Sequence, residues 1–246
     1  MAGFLIAKPR TNKDFKAQTY HSPQGGTLPY QIYIPEDPGS NELYPLVIFL
    51  HGSGQRGNDN ANQLLLGVRD IRLFSIQQSK PAIIIAPQIP HHDQWVNISA
   101  NSHPTDNSAL PTVSMKLTID LMNHIIKTLP VDKNRIYVTG LSIGGFGTWD
   151  LIQRFPDTFA AAIPVCGGGN KNKAEQIKHI PIWAFHGDKD RIVDPNRSRE
   201  MISAIKKAGG NPNYTEYKNV AHDSWTATYS DKNVLKWLFS QKKSTY

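Results

Sequence analysis

Ser142 lies in a glycine-rich segment whose residue types and spacing suit covalent catalysis. The segment Gly140-Leu141-Ser142-Ile143-Gly144 follows an apolar run at 135–139 and precedes residues of helical character. A serine with glycines two positions away on either side, between a strand and a helix, is typical of a nucleophile elbow. Glycine is needed because so tight a turn leaves no room for side chains. The sequence therefore predicts Ser142 as a nucleophile for acyl transfer.

A base for this serine must follow it in the chain. A serine hydroxyl is a weak nucleophile until a base takes its proton, and the base needs an acid to orient it. In α/β hydrolases the chain order is Ser, then Asp or Glu, then His. His222 is the only histidine beyond His186, and it follows a predicted strand at 214–217. We therefore predict His222 as the base.

Acidic residues cluster just after the predicted strand at 182–185. A triad acid is expected at this position, beyond the end of a strand, and we assign the role to Asp190. Two alternatives lie in the same run. Asp188 has the character of a turn residue, and Asp194, before a proline, that of a helix N-cap.

An oxyanion hole needs two backbone N–H groups aimed at the charge that develops during acyl transfer. Ile143 follows the nucleophile at a helix N-terminus, where the helix dipole favours negative charge. The second donor is expected in the loop after an earlier strand. Ser53 is the favoured donor there, with Gly54 as the alternative. His51 precedes this turn, and we expect it to be structural.

Apolar runs alternate with helical patterns along the chain. The runs are short and apolar throughout, as strands buried on both faces are. They lie at 46–50, 82–86, 136–138, 159–165 and 182–185, and helical patterns at 114–129, 148–154, 197–208 and 234–240. This alternation predicts an α/β fold with a mostly parallel central sheet. Residues 15–35 suggest an antiparallel hairpin at its edge, and the long polar loop at 88–111 suggests a wall of the active-site cleft.

The bulk composition fits one α/β domain over residues 1–246, with residues 1–20 as an irregular N-terminal extension. No stretch reaches the roughly 20 apolar residues that cross a membrane, so we expect no membrane insertion. Residues 1–10 lack the pattern of a complete signal peptide. Cys166 is the only cysteine; it excludes an internal disulfide, and its apolar surroundings predict burial. A cytoplasmic location and a secreted or periplasmic one both remain open, as does the oligomeric state.

Charge and histidine spacing argue against other classes of partner. The formal net charge is +7, but no run of lysine or arginine exceeds two residues, so we expect no nucleic-acid partner. His91 and His92 are adjacent, so their side chains point in different directions, and no histidine pair at helical spacing accompanies them. We therefore predict no metal site and no cofactor.

These segments resemble the small bacterial carboxylesterases of the phospholipase/carboxylesterase and prolyl-oligopeptidase-like branch of the α/β-hydrolase superfamily, near the feruloyl and acetylxylan esterases. Residues 50–60 are similar to that family's LHGSGERGxDN sequence, with His51, Gly52 and Ser53 in place. The block at 136–169 matches the elbow region, with Ile143 in place of the usual methionine. HGxxDxxV is matched by 186–193, and HDSWxxxYS by 222–230. The resemblance runs from about residue 44 to 239.

The resemblance implies an α/β-hydrolase fold with helices on both faces of the sheet and no large cap domain. It implies a serine carboxylesterase that uses Ser142, His222 and Asp190 and forms an acyl-enzyme on short-chain or carbohydrate-linked acyl esters. Trp95 and Trp225 are expected to bind the substrate, with a core position as the alternative for Trp95 and a place under the histidine for Trp225. The alternative function is a serine peptidase of the prolyl-oligopeptidase type without a gating domain.

Overall fold

The strands of the chain lie side by side in one sheet. The computed structural model describes residues 15–35, 42–78, 80–97 and 110–243. Eight strands in these ranges pair in the order β1-β2-β4-β3-β5-β6-β7-β8. Their bounds are β1 Lys16–His21, β2 Thr27–Tyr33, β3 Tyr44–Leu50, β4 Ile83–Pro87, β5 Val131–Leu141, β6 Ala161–Val165, β7 Trp183–Gly187 and β8 Asn213–Tyr217.

Six neighbouring strands of the sheet are parallel, and the two strands at one edge are antiparallel to their neighbours. β1 pairs with β2, and β2 with β4, in antiparallel register, whereas β4, β3, β5, β6, β7 and β8 run in one direction. The predicted mostly parallel sheet and the edge hairpin are confirmed. Because parallel strands end at the same edge, the loops that follow β3 to β8 meet there and can form one site.

Helices cover both faces of the sheet. The side chains of β3 alternate between two apolar clusters. Leu46, Ile48 and Leu50 belong to the cluster that contains residues of the helix at 113–128. Val47 and Phe49 belong to the cluster that contains residues of the helix at 68–77. The division follows from the two-residue period of a strand, which points neighbouring side chains to opposite faces. The helices are α1 Val68–Gln77, α2 Val113–Thr128, α3 Ile143–Arg154, α4 Ala174–Ile177, α5 Asn196–Lys207, α6 Trp225–Ser230 and α7 Lys232–Ser240.

Most helices and strands lie close to their predicted positions, and the differences between prediction and structure concern helices. α3 begins at Ile143, the residue expected at a helix N-terminus, and α1, α4 and α6 were not predicted. The described residues contain no large cap domain, as expected. Among them, no helix combines the length and hydropathy needed to cross a bilayer. The assignment of residues 1–246 to one domain remains a prediction. Residues 1–14 of the predicted irregular extension lie outside the described residues, whereas residues 16–20 are not irregular, because they belong to β1 and pair with β2.

Candidate active site

Ser142 lies at the turn between β5 and α3. Its backbone adopts φ 55° and ψ −120°, a conformation that is strained for a residue with a side chain and needs support from its surroundings. Its N–H donates to the carbonyl oxygen of Val165 at 3.0 Å. A Cβ atom at Gly140 would lie 2.5 Å from the carbonyl oxygen of Leu50, and one at Gly144 would overlap that oxygen as well. Close backbone approach therefore requires both glycines of the elbow.

Three side chains that are distant in sequence form one hydrogen-bonded chain at the carboxyl edge of the sheet. Ser142 Oγ lies 2.9 Å from His222 Nε2, and His222 Nδ1 lies 2.7 Å from Asp190 Oδ2. A carboxylate only accepts hydrogen bonds, so in the neutral ring Nδ1 carries the proton and Nε2 is free to accept from the serine hydroxyl. This is the order of contacts that activates a serine nucleophile.

Asp190 is held as a carboxylate by several donors. Its second oxygen, Oδ1, accepts from the backbone N–H groups of Ile192 at 2.9 Å and Val193 at 3.0 Å. Burial by itself would raise the pKa of this carboxyl, but the hydrogen bonds from His222, Val193 and Ile192 outweigh that effect and lower the pKa below its ordinary value of 3.8. Asp190 is therefore ionised at neutral pH and faces His222 in a fixed orientation.

The two alternative acids have other partners. Asp188 Oδ1 accepts from the backbone N–H of Asn219 at 2.7 Å. Asp194 is exposed, and its Oδ1 accepts from the N–H of Asn196, the first residue of α5, at 2.9 Å. Both carboxylates thus bind backbone at turns, and the geometry favours Asp190 as the partner of His222.

His186 is a buried neighbour of Asp190 that the sequence did not single out. Its Nε2 lies 3.0 Å from the carbonyl oxygen of Val193 and 3.2 Å from Asp190 Oδ2, and its Nδ1 lies 2.8 Å from Ser198 Oγ. Burial is the main cause that lowers the pKa of this imidazole, so the ring is neutral at neutral pH. The only available signal was its place in the motif that contains Asp190.

Cys166 lies close to Asp190 and His222. It is fully buried, as predicted, and burial raises the pKa of its thiol to about 12. One ligand atom each from Cys166, Asp190 and His222 lies within 4.8 Å of the others. A cation held there would compete with the hydrogen bond between Asp190 and His222, and the expectation that the protein uses no metal stays a prediction.

The two predicted oxyanion donors are the first residues of helices. Ile143 is the first residue of α3, and Ser53 is the first residue of a 3₁₀ turn, Ser53–Gln55. The first N–H groups of a helix have no partner within it, so they are available to bind an anion. Ser53 follows β3 and Ile143 follows β5, which are adjacent parallel strands. The two donors therefore belong to neighbouring loops at the same edge of the sheet.

The loop after β3, which we call the oxyanion loop (residues 51–60), is tied to the loop after β4. Gln88 Nε2 donates to the carbonyl oxygen of Gln55 at 3.0 Å, and Gln88 Oε1 accepts from the N–H of Asn60 at 2.7 Å. Arg56 adds a bond from Nη1 to the carbonyl oxygen of Asp93 at 3.3 Å. The described part of the predicted cleft wall at 88–111 thus supports the oxyanion loop, and residues 98–109 lie outside the described residues.

The two predicted substrate-binding tryptophans lie in different environments. Trp95 is fully buried, packs edge-on against the ring of His51 at 5.1 Å, and donates from Nε1 to the carbonyl oxygen of His51 at 2.9 Å. This is a supporting position beneath the oxyanion loop rather than the expected position facing the cleft. Trp225 is partly exposed, and its ring meets that of His222 at 5.2 Å and 88°. Trp95 therefore has the core position that was its alternative, and substrate contact stays a prediction for Trp225 alone.

Proteins that are similar to this chain include several esterases. Residues 78–236 match the dienelactone hydrolase family. The crystal structure of a thermostable esterase superimposes with a TM-score of 0.86 and 37% identity over 94% of this chain, which spans 64% of the length of that protein. Feruloyl esterase B of Thermothelomyces thermophilus is 25% identical over 85% of this chain and 80% of its own length. A bifunctional acetylxylan esterase/xylanase of Neocallimastix patriciarum is 21% identical over 92% of this chain and 31% of its own length.

Proposed function

The chain belongs to the dienelactone hydrolase family and is a carboxylic ester hydrolase, and we propose that Ser142 is the nucleophile of its reaction. One observation carries the proposal. The Ser142 hydroxyl, the His222 imidazole and the Asp190 carboxylate are joined by hydrogen bonds of 2.9 and 2.7 Å. Their chain order and their positions after β5, β8 and β7 are those of an α/β-hydrolase triad.

In the proposed reaction, Ser142 Oγ attacks the acyl carbon while its proton passes to His222 Nε2. Asp190 accepts the hydrogen bond from Nδ1 and stabilises the resulting imidazolium. The N–H groups of Ile143 and Ser53 donate to the oxygen that gains negative charge. When the carbon–oxygen bond to the alcohol breaks, the leaving oxygen takes the proton from His222. Water then attacks the acyl carbon and gives a proton to His222. The acid leaves as that proton passes to Ser142 Oγ, which restores the free hydroxyl.

The proposed substrates are short-chain or carbohydrate-linked acyl esters. Two observations support this class. The described residues contain no large cap domain over the carboxyl edge of the sheet, which leaves room for a bulky alcohol. Similar proteins carry the names feruloyl esterase and acetylxylan esterase. The comparisons do not favour the alternative of a serine peptidase.

Replacement of Ser142 tests the nucleophile. Ser142→Ala should lower kcat for p-nitrophenyl acetate by at least about 10⁴-fold, because the acyl-enzyme cannot form. Ser203→Ala removes an exposed serine of α5, and it should keep kcat within about two-fold. A fluorophosphonate should add one group to the wild type and none to Ser142→Ala. Full activity of Ser142→Ala, or labelling at another serine, would reject the assignment.

A panel of esters tests the substrate class. The panel should contain p-nitrophenyl esters from acetate to laurate, methyl ferulate and acetylated xylan, with kcat/KM measured for each soluble ester. We expect the highest values for acetate or ferulate and release of acetate from the xylan. A preference for laurate would reject the proposed substrate class while leaving Ser142 as the nucleophile.

A further inference from the structure

His51 is a buried histidine whose two ring nitrogens both bind backbone. It directly follows β3 and begins the oxyanion loop. The N–H of Ile89 donates to His51 Nε2 at 3.1 Å, and His51 Nδ1 lies 2.7 Å from the carbonyl oxygen of Gly52. Since Nε2 accepts a hydrogen bond, the single proton of the neutral ring is on Nδ1, and Nδ1 donates to the Gly52 carbonyl. The N–H of Ile89, in the loop after β4, therefore determines which ring nitrogen of His51 carries the proton.

The carbonyl that His51 binds belongs to the peptide group whose N–H is the proposed oxyanion donor. Gly52 C=O and Ser53 N–H are the two ends of one planar trans peptide, so the direction of one fixes the direction of the other. The N–H of Gln55 also donates to this carbonyl, at 3.1 Å. Donors at the carbonyl end also polarise the N–H at the other end, which strengthens the hydrogen bond that it gives.

The surroundings hold the His51 ring in this position. Trp95 contacts the ring edge-on and donates to the carbonyl oxygen of His51. A Cβ atom at Gly52 would lie 2.6 Å from Leu141 Cδ1, so the peptide packs closely against the residue that precedes Ser142. Burial is the main cause that lowers the pKa of His51 to about 4. The ring therefore stays neutral, and Nε2 stays an acceptor, at neutral pH.

We propose that His51 is a positioning residue for the oxyanion hole, which holds the Gly52–Ser53 peptide so that the Ser53 N–H points at the developing oxyanion. This inference rests on the proposed function, because it takes Ser53 as the donor. It also explains the position of Trp95, which supports the ring and the carbonyl of His51 from below. His51 does not touch the substrate, so its effect should appear in transition-state stabilisation rather than in substrate affinity.

His51→Phe tests the inference because it keeps a ring against Trp95 and removes both nitrogens. Loss of an oxyanion donor lowers kcat by about 10²–10³-fold, so misorientation of one should lower kcat for p-nitrophenyl acetate by about 10–100-fold. KM should change by less than about three-fold. The inhibition constant of a trifluoromethyl ketone, whose adduct with the serine carries an oxyanion, should rise by the same factor as kcat/KM falls.

A core variant separates positioning from stability. Ile125→Val shortens a buried side chain of α2, and it should lower Tm and leave kcat and ketone inhibition unchanged. If His51→Phe keeps kcat within about two-fold, or lowers kcat without weakening ketone inhibition, the inference is overturned. If Ser142→Ala is as active as the wild type, the proposed function fails instead, and the two failures are therefore distinguishable.

The wild type gives a second test that needs no variant to fold. Nitrogen chemical shifts of His51 should report a proton on Nδ1 and none on Nε2. They should show no titration between pH 5 and 8, the range in which a histidine of ordinary pKa, about 6.5, would titrate. Titration in that range, or a proton on Nε2, would overturn the inference, because His51 would then not hold the Gly52 carbonyl at the pH of catalysis.

Discussion

His186 Nε2 lies 3.2 Å from Asp190 Oδ2, the same oxygen that accepts the hydrogen bond from His222. The other neighbour of Nε2 is the carbonyl oxygen of Val193. Both neighbours are acceptors, so this nitrogen carries the proton of the neutral ring. One carboxylate oxygen therefore faces two imidazole N–H groups, and His186 limits the directions in which Asp190 can turn.

We expect His186→Phe to weaken both stability and catalysis. The variant keeps a ring in the buried site but removes an N–H that faces Asp190, which should cost about 1–3 kcal/mol in the free energy of unfolding. A carboxylate that can turn orients His222 less well, so kcat should fall about ten-fold, equivalent to about 1.4 kcal/mol of activation free energy. Urea unfolding and kcat for p-nitrophenyl acetate measure the two effects.

Ser198→Ala is the matched control for His186. It removes the partner of the other ring nitrogen, Nδ1, and leaves Nε2 in place. We expect a similar loss of stability with kcat within about two-fold of the wild type. Equal losses of kcat in the two variants would show that His186 acts through folding alone.

Asp190→Asn should be far more damaging than Asp188→Asn. An amide at 190 presents N–H groups as well as an oxygen, so it no longer fixes the tautomer of His222 or stabilises its charged form, and kcat should fall by about 10³–10⁴-fold. Asn at 188 keeps an oxygen that can accept from Asn219, and kcat should stay within about two-fold. The opposite ranking in kcat would assign the acid to Asp188.

The stability of the protein should fall between pH 6.5 and pH 4 because His51 is buried in its neutral form. Its pKa is about 4 in the folded protein against an ordinary value of 6.5. In this window the unfolded chain binds a proton that the folded protein does not, so acidification favours unfolding by up to about 3 kcal/mol. Arg56 lowers this pKa further, and the Gly52 carbonyl and Asp59 oppose the effect of burial.

His51→Phe gives the measurement for that pH dependence. Unfolding free energies from urea titrations at pH 7, 6, 5 and 4 should decline less steeply in the variant than in the wild type, because the variant lacks the group that takes up the proton. His186 contributes in the same direction in both proteins, since burial lowers its pKa as well. Parallel curves for the two proteins would show that His51 is not held neutral.

The strands and the residues of the hydrogen-bonded chain could be predicted because both have local signals. Apolar runs bounded by proline or glycine marked the parallel strands, and β3 to β8 lie close to the predicted ranges. The order of Ser142, Asp190 and His222, each just after a predicted strand, required the three to meet at one edge of the sheet. Topology alone accounts for this convergence.

The rest depends on contacts between distant segments. What distinguishes His186 from other buried histidines is its short distance to Asp190. No local sequence pattern predicts that distance. Trp95 lies in a polar loop, but its indole turns inward because the carbonyl of His51 offers an acceptor there. α1 was missed although Val68, Ile71 and Phe74 have the spacing of a buried helical face, so a signal for this helix was present in the sequence.

Trp225 offers a test of the substrate-binding prediction. Its ring is perpendicular to that of His222 and partly exposed at the start of α6. Trp225→Phe keeps an aromatic ring, whereas Trp225→Ala removes the contact and frees the imidazole. If the ring contacts the substrate, Trp225→Ala should raise KM for methyl ferulate by more than about three-fold, with a smaller effect for Trp225→Phe. A fall in kcat at constant KM would instead indicate that Trp225 only orients His222.

The thiol of Cys166 should be inert in the folded protein. It has no exposed surface and, with burial as the main cause, a pKa of about 12, and only the thiolate reacts readily with disulfides and alkylating agents. We expect an aromatic disulfide reagent at pH 8 to modify no thiol in the native enzyme and one in guanidinium chloride, with esterase activity unchanged by the native treatment. Stoichiometric modification without unfolding would show that solvent reaches the space next to Asp190 and His222. In that case Cys166→Ala should protect the activity, since a group attached to this sulfur would displace the carboxylate from the imidazole.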